Sequence, residues 1–155
     1  MIIEDWEQLK NKIDELKKTG KKIIFTNGCF DILHWGHVSY LKKAKELGDY
    51  LVLALNTDQS VQKLKGPTRP INNQHDRALV INELKSIDFV TFFSEETPFN
   101  VIKLIKPDII AKGGDYNPNQ VVGKEIVESY GGYVAIIPFV DGKSTTNVIN
   151  KIVDK

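Results

Sequence analysis

Two histidines, His34 and His37, stand three residues apart with Gly36 between them, at the end of the stretch FTNGCFDILHWGH (residues 25–37). Cys29 and Asp31 lie just upstream, and Gly28 begins the same turn. The stretch starts as an apolar strand and ends where a helix opens. A helix start presents free N–H groups and a partial positive charge, which suits a phosphate. Gly28 and Gly36 let a ligand approach the backbone closely, and the two imidazoles can aim N–H donors at one anionic group. The same pair could instead bind zinc, with Cys29 or Asp31 completing the set, or be structural. The flanking glycines and the helix start favour an anion. Cys29 reads as a small buried residue and Trp35 as wall or packing.

Elements that could position such a group alternate along the chain. Residues 21–25 (KKIIF) form a β-branched apolar run. A helix follows over 38–48, with Val38, Leu41, Ala44 and Leu47 at helical spacing and Gly48 as its C′ residue. Residues 50–56 (YLVLALN) are almost wholly apolar, the pattern of a strand buried on both faces. A helix over 76–86, a strand over 89–93 and a helix opened by Thr97 as cap and Pro98 as first residue come next. Residues 108–111 and 133–139 read as strands four and five, separated by the helical GKEIVESYGG. The last helix starts at Ser144 or Thr145. Ahead of everything, Trp6, Leu9, Ile13 and Leu16 make an amphipathic helix.

Five apolar strands alternating with helices predict an α/β fold: a five-stranded parallel sheet with helices on both faces. The expected organisation is one domain over 1–155, a helix in 1–19 preceding a core in 20–155. The least regular stretch is KLKGPTRPINNQ (residues 63–74), a basic loop of unusual length for such a fold. In open α/β sheets ligands bind past the carboxyl ends of the strands. His34 and His37, and Gly113, Gly114 and Asp115 after strand four, fall at that edge.

Bulk properties narrow the partners. The chain has 155 residues, 41% hydrophobic and 26% charged, with a formal net charge of +1. So small a charge provides no global field for nucleic acid or an anionic membrane, so any phosphate must be held by local groups. No apolar run approaches the ~20 residues of a membrane span. The opening MIIEDWEQLK lacks the order of a secretory signal, and a lone cysteine excludes an internal disulfide. These features fit a reducing cytoplasm.

There is no GxGxxG fingerprint and no GxxxxGK[ST] phosphate loop. The motif His34-Trp35-Gly36-His37 has the form HxGH, and in NGCFDILHWGHVSYL after an apolar strand it resembles the signature of the cytidylyltransferase-like nucleotidyltransferases. Similarity extends over nearly the whole chain. LKGPTRPI (64–71), KGGDYNPNQVVGKE (112–125) and GKSTT (142–146) bring it nearest to the heptose 1-phosphate adenylyltransferases. Glycerol-3-phosphate cytidylyltransferases share HxGH and Ser-Thr-Thr, and typically lack the Gly-Pro-x-Arg-Pro loop.

The resemblance implies a Rossmann-like fold and transfer of AMP from ATP to D-glycero-D-manno-heptose 1-phosphate, giving ADP-heptose and pyrophosphate. The alternatives are a CTP-dependent enzyme acting on glycerol 3-phosphate and a non-catalytic nucleotide-binding module. It further implies His34, His37 and Lys65 as catalytic residues. Nucleotide contacts would come from Thr26, Asn27, Gly28, Phe30 and Gly36, from Lys112 and Gly113, and from Ser144, Thr145 and Thr146. Substrate contacts would come from Asp31, Lys63, Arg69, Arg77 and Asp115. Arg77 could otherwise form a surface ion pair with Asp76 or Glu83. Mg²⁺ carried by the triphosphate is the implied cofactor, with no protein metal site. The resemblance also implies a homodimer and a stand-alone form supplied by a separate heptose kinase.

Overall fold

The computed structural model describes residues 1–114 and 116–153. Five parallel strands form one sheet in the order β3-β2-β1-β4-β5: β1 (Ile23–Gly28), β2 (Tyr50–Asn56), β3 (Phe89–Phe93), β4 (Ile109–Gly113) and β5 (Tyr133–Ile137). Period-two alternation sorts their side chains. Phe25, Val52 and Ala54 face a core closed by α1 (Trp6–Lys18), α5 (Phe99–Ile105) and α6 (Lys124–Glu128). Ile24, Leu51, Leu53 and Leu55 face the opposite core, closed by α2 (Trp35–Lys45) and α4 (Gln74–Asn82). Every residue from Leu51 to Leu55 is fully buried, as an apolar strand covered on both faces should be. Each such large side chain contributes about 1.5–3 kcal/mol.

The chain winds outward from β1 through β2 to β3, then crosses back to β4 and β5, so the switch point lies between β1 and β4. Those two strands pair only at Ile24–Ile109 and Phe25–Ile110, whereas β1 follows β2 for six residue pairs. Beyond Phe25 the neighbours diverge, and a crevice opens at their carboxyl ends. Tyr40 of α2 braces that divergence from below. Its hydroxyl lies 2.6 Å from Thr26 Oγ1 on β1 and donates to the Ala111 carbonyl on β4 at 3.0 Å.

Several expected boundaries move. Helix α3 (Asp58–Lys65), capped by Thr57, follows β2 where no separate helix was expected. It is polar, with only Ser60 and Val61 buried, so it lacks an apolar stripe to read. The irregular loop accordingly shortens to residues 66–73. Gly48 does not act as a left-handed C′ residue, because α2 ends at Lys45 with Glu46 as cap. Instead a Cβ at Gly48 would meet Ile24 Cδ1 at 2.7 Å, so the position is kept small by packing. Helix α5 begins at Phe99 with Pro98 as cap and no side-chain cap bond, which removes Thr97 from the expected role. Strand four is shifted to Ile109–Gly113, because the Asp108 carboxylate turns to accept the Ile23 N–H at 2.8 Å. Helix α7 (Thr145–Val153) buries no residue.

Candidate active site

A cavity of about 670 Å³ occupies the crevice past β1 and β4. Its floor is the turn after β1, and its walls include the start of α2 and the stretch leading into α7. The turn is strained: Phe30 takes a left-handed φ of +45°, a conformation that costs an ordinary residue about 1–3 kcal/mol. The strain sets the buried Phe30 ring against Gly28 and 5.1 Å from the His37 ring.

His34 is the N-cap of α2, in extended conformation, and no side chain caps the first turn. The helix start therefore keeps free N–H groups for a ligand. His34 folds its ring over Gly36, where a Cβ would lie 2.9 Å from His34 Cε1. That fold stacks His34 on His37, with ring centroids 3.9 Å apart and planes 23° apart. His34 Nδ1 and Nε2 and His37 Nδ1 are buried and have no hydrogen-bond partner among the described residues. Burial, then the charges of His34 and Lys65, push the His37 pKa down to about 4. Burial and Lys143 lower that of His34. Both rings are thus neutral at pH 7, each with one N–H to give.

Cations surround the pair. Lys65, Lys112 and Lys143 all line the cavity. Lys112 Nζ donates to Asn27 Oδ1 at 2.8 Å, tying β4 to β1 where they diverge, and stands 5.6 Å above the Tyr116 ring. Burial lowers its pKa. A Cβ on Gly36 would approach Lys143 Cβ at 3.1 Å, so the starts of α2 and α7 adjoin. Ser144 Oγ caps α7 by accepting the Asn147 N–H at 3.0 Å, and Thr145 Oγ1 donates to the Ile32 carbonyl at 3.4 Å. Thr146 lines the cavity beside them. A cap requires only one of these hydroxyls, and Ser144 supplies it. Two converging helix starts and three lysines make a site for a polyanion.

The model of the cytidylyltransferase-like family matches residues 25–150, from the first strand through most of the last helix. The chain belongs to this family. It is 52% identical over 149 residues to the bifunctional protein HldE of Syntrophotalea carbinolica, covering 96% of this chain and 30% of the relative. It is 54% identical over 150 residues to HldE of Geobacter metallireducens, covering 97% of this chain and 31% of the relative. The chain thus spans less than a third of the length of these curated relatives. A crystal structure of a lipopolysaccharide core biosynthesis protein from Thermoplasma volcanium superposes with a TM-score of 0.64 at 32% identity, over 80% of this chain and all of that one. The pantoate-beta-alanine ligase of Francisella tularensis shares the fold, with a TM-score of 0.64 at 18% identity, over all of this chain and 79% of that one.

The cytidylyltransferase-like cavity gathers most of the residues singled out from the sequence. Asn27, Gly28, Phe30, Asp31, His34, Gly36 and His37 line it from the first turn. Lys65, Lys112, Gly113 and Ser144 to Thr146 also line it. Thr26 is fully buried beneath the floor, its hydroxyl on Tyr40. Lys63 is exposed and outside the lining. Asp115 lies outside the described residues.

Arg77 differs most from expectation. It is neither a surface residue nor a cavity residue, being 2% exposed behind the floor. Its guanidinium donates to the carbonyls of Asn72, Cys29 and Asn56 and to Asp58 Oδ1. Asp31 is likewise engaged by protein: its carboxylate accepts from Arg69 Nε and from the N–H groups of Ile71 and Asn72. Burial alone would raise its pKa, but those two amides and Arg69 hold it below the usual value. The Cys29 thiol turns to Asn56 Oδ1 at 3.8 Å, and burial raises its pKa.

Tyr40, Tyr116, Phe139 and Lys143 also line the cavity and were not singled out. Phe139 lies on the backbone of Gly113 and Gly114. Only Lys143 and Tyr116 carried a signal, since both sit inside the quoted stretches GKSTT and KGGDYNPNQVVGKE.

Proposed function

We propose that this chain transfers the AMP moiety of ATP to D-glycero-D-manno-heptose 1-phosphate, releasing pyrophosphate and forming ADP-heptose. The observation that carries the reading is the stacked, neutral His34–His37 pair at the uncapped start of α2, inside a cavity ringed by Lys65, Lys112 and Lys143. Support for a heptose acceptor comes from the stretches LKGPTRPI and KGGDYNPNQVVGKE and from the likeness to a lipopolysaccharide core biosynthesis protein.

The nucleophile is a phosphate monoester oxygen. With a second pKa of ~6 it is largely dianionic at neutral pH, so no general base is needed. The oxygen bonds to the α-phosphorus, the bond from that phosphorus to the β-bridging oxygen breaks, and pyrophosphate leaves. The task for the protein is to bring two anions together and stabilise charge on the α-phosphate. His34 and His37 donate to the α-phosphate oxygens. Lys65, Lys143 and the Ser144–Thr146 stretch hold the β- and γ-phosphates. Lys112 and the Gly113 backbone line the nucleotide side.

Among the described residues no three His, Cys, Asp or Glu side chains stand together as a metal cluster, and the Asp31 oxygens are engaged. Mg²⁺ therefore fits as an ion carried by phosphate oxygens and water, where it would neutralise charge on the departing pyrophosphate.

The competing reading is CTP-dependent transfer to glycerol 3-phosphate, favoured by the shared HxGH and Ser-Thr-Thr. A heptose acceptor requires a preceding kinase, because its anomeric phosphate must be installed before adenylylation. The same reading has the chain work in the cytoplasm as a homodimer, and sedimentation of the purified chain tests the dimer. Among the described residues no helix is long and apolar enough to cross a membrane. Mass spectrometry of a reaction with ATP and heptose 1-phosphate tests the main reading. ADP-heptose is the expected product. A heptose bisphosphate with ADP, or no product from folded protein, overturns it.

A further inference from the structure

Lys65 is the last residue of α3, and little packing holds that helix. Its only buried residues are Ser60 and Val61. Yet Lys65 must stand at a defined place in the cavity. Polar contacts hold α3 from both ends.

At the first turn, Arg77 Nη2 donates to Asp58 Oδ1 at 2.8 Å and to the Asn56 carbonyl at 2.9 Å. Just past the last turn, the 66–73 segment is fastened to the turn after β1. Asp31 accepts from Arg69 Nε at 2.8 Å, from Ile71 N–H at 2.8 Å and from Asn72 N–H at 2.9 Å. The contact is reciprocal: Asn72 Nδ2 donates to the Asp31 carbonyl at 2.9 Å. Arg77 closes the circuit, donating to the Asn72 carbonyl at 3.0 Å and the Cys29 carbonyl at 2.6 Å. One carboxylate and one guanidinium, both nearly fully buried, thus join four separate segments. Charge-assisted bonds of this kind are about twice as strong as neutral ones and are directional.

We propose that Asp31 and Arg77 are positioning residues: together they fasten α3 and the 66–73 segment to the turn after β1, and that fastening sets where Lys65 stands in the cavity. This rests on the adenylyltransfer reading only for its kinetic consequence. The fastening itself is a property of the free protein.

Two measurements test it. The first is amide hydrogen exchange of the unliganded chain and of Asp31→Asn. Exchange at Ile71 and Asn72 is expected to speed by about tenfold or more while β1 and β2 keep their protection. Unchanged exchange at both amides overturns the fastening, whatever the enzyme turns over. The second is a kinetic cycle with Lys65→Ala, alongside the affinity for MgATP. A displacement of ~1 Å at a reacting group can cost about 10²-fold, so Asp31→Asn is expected to lower kcat/KM by about that factor. In the Lys65→Ala background the same substitution is expected to cost much less, because its route of action is gone. A full loss in that background means that Asp31 meets the substrate itself, and overturns the positioning role. Arg77→Ala exposes several carbonyls and risks unfolding, so Asp58→Asn tests that arm instead. It removes the ion pair at the far end of α3, and its kinetic loss must also fade in the Lys65→Ala background.

Discussion

His34 and His37 lie face to face, their ring centroids 3.9 Å apart, with the His34 ring folded over Gly36 and the Phe30 ring 5.1 Å from that of His37. Two rings this close cannot both be protonated cheaply, and burial adds to that cost, so the pair is neutral in the free protein.

This arrangement has a sign in pH. An unfolded histidine titrates near 6.5, and the folded His37 titrates at about 4. Between those values the unfolded chain binds the proton and the folded chain does not. Stability is therefore expected to fall as pH drops from about 6.5 to about 4, and to show no contribution from this residue above 6.5. His37→Gln should flatten the slope in thermal melts across that window. In the wild-type protein, proton NMR should give a His37 midpoint near 4 that rises when a triphosphate is bound.

In the proposed mechanism, removing either imidazole takes away a donor used most in the transition state. His34→Ala or His37→Ala is expected to cost about 10²–10³ in kcat, with circular dichroism and melting still those of a folded chain. A double variant with near-normal turnover would remove the pair from the mechanism.

The Tyr40 brace predicts a structural effect at the same edge. Tyr40→Phe leaves the Ala111 carbonyl and the buried Thr26 hydroxyl without their partner. The expected cost is about 1–3 kcal/mol, read from the urea midpoint. An unchanged midpoint would mean that water enters and replaces the hydroxyl.

Metal removal should separate the ion from the protein. EDTA is expected to abolish turnover, yet leave the melting temperature of the nucleotide-free chain unchanged, since no metal cluster exists among the described residues. A drop in that temperature would point to an ion bound by the protein alone.

The five strands were legible because burial on both faces leaves an unmistakable run such as YLVLALN, and the candidate site's place in the fold was legible because HxGH sits where strand becomes helix. Helix α3 was not, because its stability comes from polar anchors at its ends rather than from an apolar stripe. Arg77 shows the same limit. Its four acceptors come from positions 29, 56, 58 and 72, and nothing local in HDRAL indicates that they converge. A lone arginine at a helix start reads as a surface charge or a phosphate ligand until the topology is known. Phe139 likewise becomes a cavity residue only through its packing on Gly113 and Gly114.

The most direct test of the central claim is the rate of pyrophosphate release by the purified chain with Mg²⁺. Heptose 1-phosphate would be paired in turn with ATP, CTP and GTP, and glycerol 3-phosphate with CTP. Release with ATP and heptose 1-phosphate, and little with the other pairs, is the expected result. Release confined to CTP and glycerol 3-phosphate, or silence with every pair from a folded chain that binds ATP, would contradict it.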